Sequence, residues 1–205
     1  MTYLELKEHF KDFALFSLKD IKKMDPGFHR RRLSEWKEKG YLKSIIKGFY
    51  VFAHQEPNEN ILFFTANRVY IPSYVSLEAA LGYYGFIPEA VFTATSVSTR
   101  KTKTFSTIYG KMIYKHIHPR YFFGYRLVDF GGVRFKIASP EKSVLDFLYL
   151  NSQINSREDM EELRFNPEEV RKKIDPIKFK EFLQKFGKQS LRDRAELWME
   201  VVSHA

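Results

Sequence analysis

The stretch Ser17–Phe52, SLKDIKKMDPGFHRRRLSEWKEKGYLKSIIKGFYVF, limits what this chain can fold into more than any other. Ser17 followed three residues later by Asp20 is a helix-start signature, in which each side chain satisfies the other residue's backbone N–H. Leu18, Ile21 and Met24 then recur at helical spacing on one face. Asp25-Pro26-Gly27 breaks the run, because proline fixes φ and glycine permits a positive φ. A second helix is predicted from about Phe28 to Lys39. Phe28, Leu33 and Trp36 would point inward and Arg30, Arg31 and Lys37 outward, with Gly40 as a left-handed C-terminal cap. Tyr41–Phe52 alternates apolar and polar residues around Lys47-Gly48, the pattern of a hairpin. Helix, tight turn, basic helix and basic hairpin follow the order of a winged helix-turn-helix. In that fold the second helix lies in the DNA major groove and the hairpin touches the neighbouring backbone. Arg30, Arg31 and Arg32 cannot share one face, since each step turns a helix by about 100°. Part of the run therefore also fits a solvated face.

Composition agrees with a folded, polyanion-binding protein. In 205 residues, 44% are hydrophobic and 17% aromatic, enough for a sizeable core of one or two domains. Twenty Phe and twelve Tyr supply most of that core, because aromatics bury the most area per residue. The net charge of +9 points to an acidic partner, although a basic chain is also simply soluble. There is no cysteine, so disulfides, thiolate chemistry and Cys-ligated zinc are excluded. The opening MTYLELKEHFKDF carries acids and no apolar core, which argues against a signal peptide. No eighteen-residue apolar run suggests a membrane span. The expected location is the cytoplasm.

The rest of the chain reads as α+β. Tyr3, Leu6, Phe10 and Phe13 predict a helix over residues 2 to 13. The polar stretch His54–Asn60, with its proline, suggests a boundary between a winged segment at residues 1–56 and a second domain at 57–205. Ile61–Val69 is predicted helical, and Pro72-Ser73 is read as the start of another helix through Leu77, Leu81 and Tyr84, ended by Gly85. Strands are predicted at Val91–Val97, Lys103–Thr107, Lys111–His118, Tyr125–Phe130 and Val133–Ile137. Ser139-Pro140-Glu141, Asn166-Pro167-Glu168 and Asp175-Pro176 are helix starts, and a last helix spans Leu191–Val202. Helices, then strands, then helices imply an antiparallel or mixed sheet.

Charge is uneven along the chain. Between Glu89 and Asp129 there is no acid, but seven bases: Arg100, Lys101, Lys103, Lys111, Lys115, Arg120 and Arg126. From Ser156 onward bases and acids cancel. The positive charge therefore belongs to the winged segment and the strand region. Arg100, Lys101, Lys103, Lys115 and Arg120 form a candidate second basic surface. Lysines on exposed strands also serve as protection against edge pairing.

Several blocks resemble the AbiEi-type antitoxins, predicted regulators of viral defence systems. They are RRRLSEWKEKGYLKSIIKGFYVF, ANRVYIPSYVSLEAALGYYGFIPEAVFTATSVSTRKTKTF, KHIHPRYFFGY and IASPEKSVLDFLYL, over roughly residues 13 to 150. The resemblance implies a winged helix that binds inverted repeats in the promoter of its own operon, as an autorepressor. It implies a second domain that counteracts a nucleotidyltransferase-like toxin encoded alongside, with or without a stable complex. By position, Arg30, Arg31, Arg32, Ser34 and Lys37 fall in the recognition helix, and Lys43, Lys47 and Gly48 in the wing. A stand-alone DNA-binding regulator with no toxin partner is the alternative within the same class.

Catalytic signals are thin, and no cofactor, metal or catalytic residue is expected. His116 and His118 alternate on a predicted strand, so they would share a face, but no third ligand is apparent. Glu141-Lys142 sits at a helix start, where the helix dipole accounts for a glutamate. Asp146 lies within an apolar helix and, if buried, needs a partner, with Arg100 or Arg126 as candidates. Glu78, Glu141 and Asp146 are the acids a nuclease-like enzyme would use. No phosphate-binding glycine loop, HExxH or GxSxG motif is present.

Overall fold

The computed structural model describes residues 1–56, 58–88, 93–130 and 132–204. Its N-terminal segment comprises α1 (Tyr3–Phe10), β1 (Phe16–Ser17), α2 (Leu18–Met24), α3 (Arg31–Glu38), β2 (Leu42–Ile46) and β3 (Phe49–Phe52). Ser17 caps α2 in a full capping box with Asp20, as its spacing predicts. Helix α1 stops three residues short of the expected end, because the chain leaves it to pair Phe16 with Tyr50 in an antiparallel sheet of order β1-β3-β2. Helix α3 starts three residues late. The Phe28 N–H donates to the Asp25 carbonyl (3.0 Å) and extends the turn, while the Phe28 ring sits 5.7 Å from that of Trp36. Gly40 ends α3 with φ of 71°, the left-handed conformation expected of it, whereas Gly27 has no positive φ.

The remaining elements are α4 (Glu59–Val69), β4 (Ser73–Val75), α5 (Leu77–Tyr83), β5 (Thr93–Ser98), β6 (Lys103–Thr107), β7 (Gly110–His116), β8 (Tyr125–Phe130), β9 (Val133–Ala138), α6 (Pro140–Leu150), α7 (Arg157–Glu162), α8 (Pro167–Lys173), α9 (Pro176–Phe186) and α10 (Gln189–His204). Six strands form one mixed sheet, ordered β6-β7-β5-β4-β9-β8, with β5 parallel to β7 and β4 parallel to β9. The fold is mixed α+β. Pro72-Ser73 does not open a helix. Ser73–Val75 is a strand between β5 and β9, buried on both faces, and the helix begins only at Leu77. Of the expected strand at Val91–Val97, Val91 and Phe92 lie outside the described residues, as does Pro57 of the expected boundary.

Two hydrophobic cores form. The smaller gathers Leu6, Phe10, Phe16, Ile21, Phe28, Leu33, Trp36, Leu42, Tyr50 and Phe52. The larger is built from α4 to α10 and the six-stranded sheet, and it also takes in Leu15, Ile45 and Val51. Alternate side chains of the β2–β3 hairpin therefore face different cores, the period-two consequence of a strand covered on both sides. The register of the hairpin shifts between Ser44 and Ile46. No described helix is long and apolar enough to cross a membrane.

Candidate nucleic-acid interface

Helices α1, α2, α4 and α6–α9 each begin on a side chain that caps the first turn. Helix α3 begins on Arg30, with no side-chain cap and no acid in its first turn. Cations at the positive end of a helix dipole are unfavourable and an anion there relieves them, while the Arg32 and Leu33 N–H groups already donate to the His29 and Arg30 carbonyls. The three arginines splay as a rotation of about 100° per residue demands. Arg31 projects away from Leu33 and Trp36, its side chain 88% exposed, and pairs with Glu35 at 3.3 Å. Arg32 turns back and donates to the Met1 carbonyl. Arg30, Ser34 and Lys37 are exposed.

Glu35 and Glu38 share the outward stripe of α3 with Arg31 and Ser34, so this face is mixed in sign and not uniformly basic. An exposed i,i+4 pair is worth only about 0.3–0.5 kcal/mol, so Arg31 can exchange Glu35 for a phosphate at little cost. Glutamate can also accept from cytosine N4 in the major groove. On the hairpin, Lys43 and Lys47 are exposed.

The candidate second surface clusters at one end of the large sheet. Ser98 at the end of β5 is level with His116 at the end of β7. Arg100 and Lys101 follow β5, Lys103 opens β6, and Lys115 precedes His116. All four cations are exposed. Arg120 is set apart on a 3-10 turn, with its guanidinium 5.0 Å from the Tyr121 ring centre. Edge strand β2 of the small sheet approaches edge strand β6 of the large one.

The catalytic candidates resolve differently. His118 is not on a strand. It caps the 3-10 turn, its Nδ1 accepting from the Arg120 N–H at 3.3 Å, so the pairing with His116 on one strand face does not form. Asp146 is fully buried, but its partner is neither Arg100 nor Arg126. It pairs with Lys142 one turn earlier, and the hydroxyls of Tyr74 and Ser76 each donate to Oδ2 at 2.9 Å. Arg126 instead donates to the Tyr84 hydroxyl (3.2 Å), whose pKa burial lifts to about 12. Burial pushes the Lys142 pKa down and the Asp146 pKa up, while their mutual attraction opposes both shifts. The ammonium of Lys142 also lies 4.8–5.6 Å from the ring centres of Phe186, Phe123 and Tyr74.

Glu141 is likewise buried. It accepts from the Ser139 hydroxyl at 2.7 Å and pairs with Lys178 at 3.0 Å. Glu78 is half-buried at the start of α5. Because Ser76 spends its hydroxyl on Asp146, Thr95 of β5 substitutes as cap. Its hydroxyl accepts from the Ala79 N–H (2.9 Å) and donates to the Ser76 carbonyl (2.8 Å). Glu141 and Asp146 are thus buried carboxylates, each ion-paired to a lysine. Lys142 is the partner that Asp146 finds in place of the arginines, and the spacing Lys142–Asp146 on an apolar helix is a readable i,i+4 signal.

No protein-family model matches the chain, and no curated protein is similar to it.

Proposed function

We propose that this protein is a DNA-binding transcriptional autorepressor that uses α2, the following turn, α3 and the β2–β3 hairpin as a winged helix-turn-helix. The observation that carries the reading is the start of α3: an N-terminus with no side-chain cap, bearing exposed Arg30 and Arg31 and followed by a hairpin on which Lys43 and Lys47 are exposed. The N-terminal residues of a recognition helix are the ones that reach base edges. In this reading Arg30, Arg31, Ser34 and Lys37 enter the major groove, and Lys43 and Lys47 neutralise phosphates beside it. Arg32 contributes charge but is oriented by Met1. The mechanism is occupancy of the operator. Phosphate neutralisation and counterion release supply affinity, and arginine forks on guanine supply selectivity.

The resemblance to AbiEi-type antitoxins extends the proposal. The operator is an inverted repeat in the protein's own promoter, and the region after residue 56 opposes a nucleotidyltransferase-like toxin in the cytoplasm. The test is a pair of charge reversals. Arg30→Glu with Arg31→Glu should abolish repression of a promoter reporter and still rescue cells from the neighbouring toxin. Reversal of Arg100, Lys101 and Lys103 should impair rescue from the toxin. Retained repression in the first variant contradicts the assignment of α3.

A further inference from the structure

The loop between β5 and β6 forms a cradle that is already ordered. The Tyr70 hydroxyl donates to the Lys101 carbonyl (2.8 Å), the His116 N–H to the Thr102 hydroxyl (3.1 Å) and the Arg100 N–H to the Ser98 hydroxyl (3.1 Å). Ser98 in turn donates to the Pro72 carbonyl at 2.6 Å. The His116 Nδ1 lies 3.1 Å from the Arg100 carbonyl, so that nitrogen carries the hydrogen in this contact. The Arg100 guanidinium is stacked 4.3 Å from the Tyr70 ring centre and donates to the Ile71 carbonyl at 3.3 Å. Together Tyr70, Thr99, Arg100, Lys101, Thr102 and His116 line a concavity of about 600 Å³.

Among the described residues no carboxylate lies within ion-pair distance of Arg100 or Lys101. A guanidinium held over an aromatic ring, with donors left over and no counter-ion among the described residues, is organised for a planar or tetrahedral oxyanion. Thr99, Lys101 and Thr102 line the same concavity and carry further donors that a phosphate could use. The order of the loop means that little entropy remains to be lost on binding.

Position favours one source of that phosphate. Asp20, in the first turn of α2, pairs with Arg68 at 3.1 Å, two residues before Tyr70. Strand β6, which follows the loop, approaches hairpin strand β2. The cradle is thus tied to the segment that carries α3. We propose that the Arg100 cradle binds a backbone phosphate of the same duplex that α3 reads, so that the footprint extends onto the large sheet. This rests on the DNA-binding reading above.

The experiment is fluorescence-anisotropy titration of the full chain with operator duplex at several salt concentrations, for the unaltered protein, Arg100→Ala and Arg100→Lys, with melting curves to show that each is folded. Arg100→Ala should weaken binding by about tenfold, as for loss of one charge-assisted hydrogen bond, and reduce the log–log salt slope by about one. Arg100→Lys should keep the slope but bind more weakly, because the charge stays while the fork and the stack are lost. A parallel NMR titration with inorganic phosphate follows the Arg100 and His116 amides, which should shift in the unaltered protein and not in Arg100→Ala. Phosphate-induced shifts with unchanged duplex binding in Arg100→Ala would overturn the backbone assignment in favour of a free phosphate ester. No shift and an unchanged slope would overturn the site altogether. The two readings fail separately: no duplex binding by the unaltered chain ends both, whereas intact binding with an unaltered slope ends this one alone.

Discussion

Lys142 and Asp146 form an ion pair one turn apart on α6, and neither side chain has any exposure to solvent. Two charges in a low-dielectric interior recover their desolvation only when their remaining hydrogen-bonding capacity is also met. Here Tyr74 and Ser76 meet it for the carboxylate, and the Tyr74 hydroxyl, 3.0 Å away, meets part of it for the ammonium. The cluster ties α6 to β4 and to the start of α5, so it fixes how the large sheet meets its helices.

Removing one partner should therefore cost more than removing both. Lys142→Met leaves a buried carboxylate uncompensated and should lower stability by about 3–5 kcal/mol. Lys142→Met combined with Asp146→Leu should recover part of that loss. Urea unfolding monitored by circular dichroism measures both, and a double variant less stable than the single one would contradict the pairing.

Gly124 closes this cluster from above. Its φ is 73°, and a Cβ there would lie 2.8 Å from Phe182 Cε2 and 3.1 Å from Lys142 Cγ. Gly124→Ala combines a backbone conformation unfavourable for alanine with a steric clash, and should cost about 1–3 kcal/mol or more. A melting temperature unchanged within error would show that the loop relaxes freely.

Glu141 gives a pH signature. Burial on its own would raise its pKa, but hydrogen bonds from Ser139, Lys178 and the Asp175 N–H bring it below the ordinary 4.5. A carboxylate with a depressed folded-state value stabilises the fold above about pH 4.5 and loses that contribution as pH falls through the lower value. Wild type and Glu141→Gln should differ in stability near neutral pH and converge in acid. Parallel stability–pH curves for the two proteins would contradict the assignment.

Trp36 separates stability from recognition. It is 7% exposed, with the rings of Tyr3 and Phe28 at 5.8 and 5.7 Å. Trp36→Ala should cost about 3–5 kcal/mol, and at temperatures where it is folded it should keep the duplex preference of the unaltered protein. Loss of DNA binding without loss of stability would place the ring in the interface.

What could be read from the sequence was local. The capping signals at Ser17, Ser139, Asn166 and Asp175 involve residues within one turn and lie where they were read. The inward positions Leu33 and Trp36 also follow from helical phase alone, whereas Phe28 is buried from the turn before the helix. What was not legible depends on distant partners. Ser73–Val75 is covered on both faces, so it shows no alternation to mark it as a strand. The hairpin's second buried face, with Ile45 and Val51, reflects contact with the large core and has no signature within Tyr41–Phe52. Arg100 and Lys101 stood out by charge, but the Tyr70 ring and His116 that complete the cradle come from other elements, and only the fold brings them together.

The most direct test of the DNA-binding account is the salt dependence of duplex affinity for the unaltered chain on its own upstream promoter, read by anisotropy. Roughly five phosphate contacts predict a log–log slope of about −4 to −5, together with tighter binding to the promoter than to an unrelated duplex of equal length. Affinity independent of salt, or no binding to either duplex, would contradict the account.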